Sequence, residues 1–459
     1  MEENHQVIII GGGLSGLATA HFLRKQQPDL DLLLLEAGNR PGGAIRSFSE
    51  EGFLAEWGPH GFLDNIPESR ELLADTGLDQ QAQRAPLKKF LRYVCHQGHL
   101  VALPQSPKQL ITTPLLSPTG KLRLLGDLWI KPILTEQSLG EWAAHRFGHE
   151  VLPLVDAAAT GTFAGDYQRL SIDAVMPGVR KLEKDYGSIL RGLRAKKKNA
   201  KDKKTGQMPS MLSFPEGMEH LVATLAANNP LRTNTRVNAI SRSDSQWRLE
   251  TAEVTYTTPT LIVALPVNAA LPLLTPLSAP PVPEVPEARI NNVLLGFTDR
   301  VKIPYGFGYL APERENRFAL GAMFSTHMFP GRAPQGKVLI EVLVGGRRHP
   351  ERLDLHDDEL LANILTDLGE LLPLTEPPCF SKVLRPAGGI PQMEVGNHQQ
   401  LTAWRHQCEQ TYPGLHLCGF GWDGIGMNDM IKSAKQIALA AGAGVGKTQE
   451  EAPVKPVYF

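Results

Sequence analysis

Cysteine is scarce: the chain has four, Cys95, Cys379, Cys408 and Cys418, in 459 residues. No two form a C-x-x-C pair, so neither a thiolate zinc site nor a disulfide framework is expected, and a reducing compartment fits best. Net charge is missing too. The 47 basic and 48 acidic residues sum to −1, so no global field draws the chain to nucleic acid. Long apolar runs are absent: nothing approaches the roughly 18 uncharged apolar residues of a membrane-spanning helix. No signal peptide is visible, because Met1-Glu2-Glu3-Asn4-His5 is acidic and the apolar run Val7 to Ile10 ends in glycine. The expected location is cytoplasmic. Contact with a membrane surface through an amphipathic patch stays open.

What is present is ordinary for a globular protein, with 42% hydrophobic and 21% charged residues. The length suggests two or three domains. Val7 to Ile10 reads as a buried parallel strand, Leu14 to Arg24 as a helix and Asp31 to Leu35 as a second strand. Between the first strand and the helix stand Gly11, Gly13 and Gly16, a G-x-G-x-x-G, and Glu36 follows 20 residues after Gly16. In a βαβ unit this pattern binds a dinucleotide. Gly11 allows the tight turn, Gly13 lets the backbone approach a pyrophosphate, and Gly16 lets helix and strand pack closely. The helix N-terminus offers its free amides to the phosphates. Glu36 accepts from ribose hydroxyls and disfavours a 2′-phosphate. Gly12, Leu14, Ser15 and Ala37 lie within the same candidate cofactor site.

Farther along, Leu122, Leu125, Leu128 and Trp129 share one helical face, as do Leu139, Trp142, Ala143 and Phe147. The middle of the chain therefore reads as a helical subdomain. His145 and His149, beside Glu141 and Glu150, stand four apart, but no third ligand motif follows, and no metal site is expected. The basic run between Arg191 and Lys204 reads as a solvated loop. Six prolines between Pro272 and Pro286 read as a stiff connector. Strand-like runs at Val293 to Phe297, Ala319 to Phe324 and Val338 to Val344 suggest a mixed sheet. The A-x-x-x-x-G-K-T at Ala441 to Thr448 follows a helical segment, not a strand, and is set aside as a phosphate loop. The residues after Thr448 read as a disordered tail.

The segment Glu36-Ala-Gly-Asn-Arg40-Pro-Gly42-Gly43-Ala-Ile-Arg46-Ser47 resembles the E-x-x-x-R-x-G-G signature of amine-oxidase-like flavoproteins. Within that superfamily, further runs resemble protoporphyrinogen oxidases. They are Glu56-Trp57-Gly58-Pro59-His60-Gly61-Phe62, Phe163-Ala164-Gly165-Asp166, Gly187-Ser188-Ile189, Phe214-Pro215-Glu216-Gly217-Met218, Gly306-Phe307-Gly308-Tyr309-Leu310, Ile390-Pro391-Gln392 and Gly424-Ile425-Gly426-Met427-Asn428-Asp429. The sequence departs from that pattern at His60, Glu216, Trp422-Asp423 and Met393.

The resemblance implies an α/β and α+β architecture. A Rossmann-like FAD domain is expected from 1–85, 206–270 and 400–445, a mixed-sheet substrate domain from 86–110 and 271–399, a helical, membrane-associating subdomain over 111–205, and a tail at 446–459. It implies non-covalent FAD, with Arg40 offering a cation to the diphosphate, Gly42-Gly43 and Gly58-Pro59 against the cofactor, and the Val237 backbone pairing with adenine. Ala264 and Gly419 approach the cofactor, and Gly426 and Met427 contact the flavin ring. Asn428 is expected to cap the helix that follows. For the substrate it implies a flat apolar cavity at Phe307, Gly308, Leu310, Met323 and Leu343, with Lys89 near the place of a propionate-binding arginine. The alternative for Lys88, Lys89 and Arg92 is a solvated basic face. The implied reaction is oxidation of a porphyrinogen by hydride transfer to flavin N5 in three two-electron rounds, with molecular oxygen or another acceptor and no acid–base dyad. Protoporphyrinogen IX is the first substrate, coproporphyrinogen III an alternative, and a non-catalytic porphyrin carrier a third reading. A homodimer is left open.

Overall fold

A computed structural model of the chain describes residues 2–85, 91–201 and 210–442. They divide into two compact units, one from 2–85, 210–286 and 399–442, the other from 91–201 and Glu287–His398. Lys88, Lys89, Lys203, Lys204, the Gly-Lys-Thr run and the C-terminal tail lie outside the described residues.

The first unit is built on a five-stranded sheet in the order Leu231–Arg232, Leu32–Leu35, Val7–Ile10, Thr260–Val263, Leu415–Leu417. Every neighbouring pair is parallel. Val7–Ile10 and Leu32–Leu35 are buried along their whole length, as strands covered on both faces must be, which explains their unbroken apolar sequence. The helices Leu14–Gln26 and Met427–Gly442 share a core with the sheet through Leu14, Leu17, Ile9, Ile262, Ile431 and Ala434. A second sheet orders Glu2–Asn4, Thr255–Thr258, Gln246–Glu250 and Ala239–Ser243. The proline-rich connector starts later than expected: Pro272 lies inside the helix Val267–Leu274.

In the second unit a seven-stranded mixed sheet runs in the order Phe380–Leu384, Ile290–Thr298, Lys337–Gly345, Gly321–Phe324, Gly308–Leu310, Arg92–His96, His99–Ala102. Only the Gly308–Leu310 and Arg92–His96 pair is parallel. Strand alternation splits its residues between two faces. Tyr309, Ala322, Val342 and Val293 pack on one face with Leu360, Ile364 and Leu368 of the helix Asp357–Gly369.

Helices fill the stretch from 107 to 201 in this unit. Two begin at Ser-Pro, where Ser106 accepts from Gln109 N and Ser117 from Gly120 N, with proline at the first helical position. A third, Leu139–Phe147, opens on a capping box of Ser138 and Glu141. Two expectations are corrected here. Leu122, Leu125, Leu128 and Trp129 do not form one continuous helical stripe, because the α-helix Pro118–Leu124 gives way to a 3-10 turn over Leu125–Leu128. The basic run is no loop as far as Lys201: it belongs to the helix Ile189–Lys201. Its sequence of Ala, Leu, Lys and Arg favours helix, and Gly192 and Asn199 oppose it.

These helices are tied by buried charges. Arg146 and Glu183 are fully buried, and Arg180 is nearly so. Arg146 pairs with Glu183 and, at 3.1 Å, with Asp127. Arg180 reaches Glu183 at 2.6 Å, and Trp142 Nε1 donates to the same carboxylate at 2.9 Å.

Candidate functional site

In the first unit the glycine turn leaves the strand Val7–Ile10 and enters the helix Leu14–Gln26. Gly11 has φ +108°, and a Cβ there would lie 2.6 Å from the Ala264 carbonyl oxygen. At Gly13, by contrast, a Cβ would meet nothing within 4 Å. The helix has no side-chain N-cap, and no hydrogen bond engages the Ser15 or Gly16 amides among the described residues. Ser15 Oγ is buried without a hydrogen-bond partner. Open space, free amides and an orphaned hydroxyl at a helix N-terminus together suit an anionic diphosphate.

Glu36 stands at the end of the neighbouring strand. Its Oε2 accepts from Gly12 N at 2.8 Å and its Oε1 from Gly38 N at 2.7 Å. Two backbone bonds fix the carboxylate and leave lone pairs for hydroxyl donors. Gly42 N donates to Gly12 O at 2.8 Å and draws the 40–45 turn against the glycine turn. The Arg40 guanidinium donates to the Pro41, Gly43 and Ile45 carbonyls and lies 3.8 Å from Glu219, so it braces this turn from within. Val237 has no hydrogen bond from its amide among the described residues, which leaves the group available to a ligand. Gly58 packs so closely that a Cβ would lie 2.4 Å from the Ala44 carbonyl oxygen, and Pro59 follows it.

Asn428 is not the cap it was expected to be. The helix Met427–Gly442 already includes it, and its side chain serves as a clasp. Nδ2 donates to Leu63 O and Asn65 Oδ1, both at 2.7 Å, and Oδ1 accepts from Ser69 Oγ at 2.5 Å. Asp429 takes the capping role, accepting from Gly426 N at 3.1 Å.

In the second unit, strand register brings the expected substrate residues onto one face of the seven-stranded sheet, opposite the helix-covered face. Gly308 faces Met323 and Gly321 faces Leu343, with Leu310 on the same side. The helix Leu152–Phe163 touches this face, since a Cβ on Gly161 would lie 2.5 Å from Leu310 Cδ1. Phe307 immediately precedes the strand.

Arg92 corrects the sequence reading. It is half-buried and pairs in register with Gly308, and its guanidinium lies 5.4 Å from the centre of the Phe307 ring. It is no part of a solvated basic face. Period-two alternation in Arg92-Tyr93-Val94-Cys95 could have found it, because Cys95 belongs to the helix-covered core and Arg92 must then face the other way. Glu341 is a second residue missed. It sits buried on the same face beside Met323 and accepts from Asn292 Nδ2 and Ser325 Oγ, both at 2.6 Å.

Several known proteins are similar to this chain over most of its length. A coproporphyrinogen III oxidase of Staphylococcus aureus is 29% identical over 94% of this chain and 98% of its own. Protoporphyrinogen oxidase 2 of Arabidopsis thaliana is 30% identical over 80% of both chains. The crystal structure of a provisionally named protoporphyrinogen oxidase from Exiguobacterium sp. 255-15 superimposes with a TM-score of 0.79 at 25% identity, covering 96% of this chain and 99% of its own. Residues 14–441, nearly the whole length, match the flavin containing amine oxidoreductases, and the chain belongs to that family as a flavin-dependent oxidoreductase of mixed α/β fold.

Proposed function

We propose that the chain is an FAD-dependent porphyrinogen oxidase that converts protoporphyrinogen IX to protoporphyrin IX, with FAD held non-covalently and oxygen as the electron acceptor. The observation that carries the substrate side is the sheet face of Gly308, Leu310, Met323 and Leu343 with one cation, Arg92, set into it. A floor that is apolar apart from Glu341, whose carboxylate is engaged by Asn292 and Ser325, matches a flat macrocycle, and a guanidinium matches a propionate carboxylate. Similarity to named porphyrinogen oxidases along most of the chain supports the same reading.

Bound FAD would supply the two-electron acceptor. The chain's own groups bind and orient it. The Ser15 and Gly16 amides and Ser15 Oγ would receive the diphosphate, Glu36 would take ribose hydroxyls, and the Val237 amide is left for adenine. The N-terminus of Met427–Gly442 would turn a positive dipole end toward the flavin and favour the negative charge that reduction brings. Orientation and exclusion of water, not a proton-transfer dyad, are what the protein contributes.

The same reading places the protein in the cytoplasm, in peripheral contact with a bilayer. Of the eleven large hydrophobic residues exposed among those described, eight lie between Ile111 and Leu193, which concentrates the apolar surface on the helical stretch.

Anaerobic mixing with protoporphyrinogen IX tests the proposal, with bleaching of the flavin as the readout. Coproporphyrinogen III in a parallel reaction decides between the two porphyrinogens, and faster bleaching by it would reassign the substrate. No bleaching by either overturns the reading.

A further inference from the structure

The loop from Gly419 to Gly426 carries a tryptophan for which porphyrinogen oxidation has no use. Trp422 stacks on Trp404 of the helix Asn397–Thr411. The two rings are inclined by only 13°, with centroids 6.5 Å apart, in an offset parallel arrangement. Both are buried, Trp404 to 6% and Trp422 to 5% exposure. Trp422 Nε1 donates to the Leu265 carbonyl at 3.1 Å, and Trp404 Nε1 donates to Ser278 Oγ at 3.1 Å. Leu265 is the residue that packs against two cofactor glycines. Its carbonyl oxygen would lie 2.1 Å from a Cβ on Gly419, and its Cδ2 would lie 3.1 Å from one on Gly11. Trp422 is therefore hydrogen-bonded to the wall of the dinucleotide site, with Trp404 stacked behind it.

The cation beside these rings is neutralised by carboxylates. The Arg405 guanidinium lies 5.9 Å from the Trp422 ring, and Arg405 is itself paired with Asp423 at 2.7 Å and Glu409 at 3.5 Å. The two carboxylates offset the guanidinium charge that would otherwise oppose a positive hole on the adjacent indole. Stacking spreads the hole over two rings.

We propose that Trp422 and Trp404 form an electron-donor pair that drains the excited state of the bound flavin, a light-protection function separate from substrate oxidation. It rests on the flavin reading given above. One electron leaves the stacked pair for the photoexcited flavin, and the hole is shared by the Trp422 and Trp404 rings, which makes the pair easier to oxidise than either ring alone. Recombination returns the electron to the tryptophan pair, so no external oxidant or reductant is consumed and the energy leaves as heat. An enzyme whose cofactor and product both absorb visible light gains from such a drain, because a long-lived excited flavin generates reactive oxygen.

Time-resolved flavin fluorescence of the purified holoenzyme tests this in Trp422→Phe and Trp404→Phe, since phenylalanine keeps an aromatic ring in place but is much harder to oxidise. The expected result is a lengthened flavin lifetime in both variants, larger in Trp422→Phe. Lengthening in Trp422→Phe alone removes Trp404 from the path. Should Trp422→Phe lose its flavin, Trp404→Phe, which leaves the Gly419–Gly426 loop untouched, carries the test. An unchanged lifetime in the flavin-loaded variants overturns the electron-donor pair. A wild-type protein that purifies without flavin overturns instead the cofactor reading beneath it.

Discussion

Gly16 faces Gly11 across the helix–strand junction so closely that a Cβ on Gly16 would lie 2.0 Å from the Gly11 carbonyl oxygen. That carbonyl is backbone and cannot step aside as a flexible side chain would. Gly16→Ala must therefore push the helix Leu14–Gln26 off the strand Val7–Ile10 and spoil the diphosphate cradle. The expected outcome is a loss of about 1–3 kcal/mol in stability, the range for overpacking a core, together with loss of bound flavin. Urea melts and the visible absorbance of the purified variant check it. Full flavin content in Gly16→Ala would show that the junction is looser than the geometry says.

Glu36 is held by the Gly12 and Gly38 amides, so its carboxylate is already oriented before a ribose arrives. Glu36→Ala removes a charge-assisted bond worth about 1.5–3 kcal/mol and should weaken FAD binding roughly ten- to a hundredfold. Titration of the apoprotein with FAD gives the number. An unchanged dissociation constant takes Glu36 out of the cofactor site.

Arg92 is expected to recognise a carboxylate of the substrate. Arg92→Leu should lower kcat/KM for protoporphyrinogen IX by roughly ten- to a hundredfold, the value of a charge-assisted contact. The rate of flavin reduction at saturating substrate should change much less, because the contact is remote from the reacting carbon. Arg92→Lys should recover only part of the loss, since an ammonium lacks the planar fork. Equal kcat/KM in Arg92→Leu and the wild type would remove the residue from the substrate face.

How far these sites could be read from sequence depends on how local their signals are. The glycine turn, Glu36 and the two flanking strands were legible because a parallel strand buried on both faces is apolar throughout, and a tight turn beside it needs glycine. The mixed sheet of the second unit was legible as apolar runs, and its edges were off by a few residues: Val293 to Phe297 grew to Ile290–Thr298, while Ala319 to Phe324 shrank to Gly321–Phe324. What stayed hidden depends on partners distant in sequence. Asn428 looks like a helix cap locally, and only the approach of Leu63, Asn65 and Ser69 makes it a clasp. Arg92 looks like one more basic residue after Lys88 and Lys89 until Gly308 and Phe307 come up beside it. The buried charges Asp127, Arg146, Arg180 and Glu183 were invisible for the same reason: in sequence each resembles a solvated helix charge.

Those buried charges set an acid limit on stability. Burial alone would raise the Glu183 carboxyl, but hydrogen bonds from Arg146, Arg180 and Trp142 outweigh it and hold the group below its ordinary 4.5. A carboxyl depressed in the folded state stabilises fully above its unfolded value, and that contribution is lost as pH falls through the folded one. Stability should therefore drop below about pH 4.5, and Glu183→Gln should flatten that part of the profile. At neutral pH the variant should be destabilised by about 3–5 kcal/mol, because Arg146 and Arg180 lose a buried partner. Thermal melts across pH decide it. A variant as stable as the wild type at pH 7 would mean that the network is neutral in energy.

The last expectation concerns the helical stretch. Trp129 is 75% exposed, Ile111 72% and Leu134 69%, and large apolar side chains left open along one helical stretch are suited to enter a membrane surface. Arg191, Arg194 and Lys197 are exposed on the helix Ile189–Lys201 in the same part of the chain. Apolar residues that enter the headgroup region and cations that meet anionic lipid are the two components of reversible interfacial binding. Each cation near a charged leaflet adds about 1 kcal/mol, and salt screens it. The protein should sediment with anionic vesicles at low salt, less at high salt, and weakly with neutral ones. Replacing Trp129 and Leu134 by serine should cut binding to both kinds of vesicle, whereas replacing Arg191, Arg194 and Lys197 by glutamine should cut only the anionic, salt-sensitive part. Wild-type protein that remains in the supernatant under every condition would leave the exposed residues without a bilayer to cover them and would refute peripheral association.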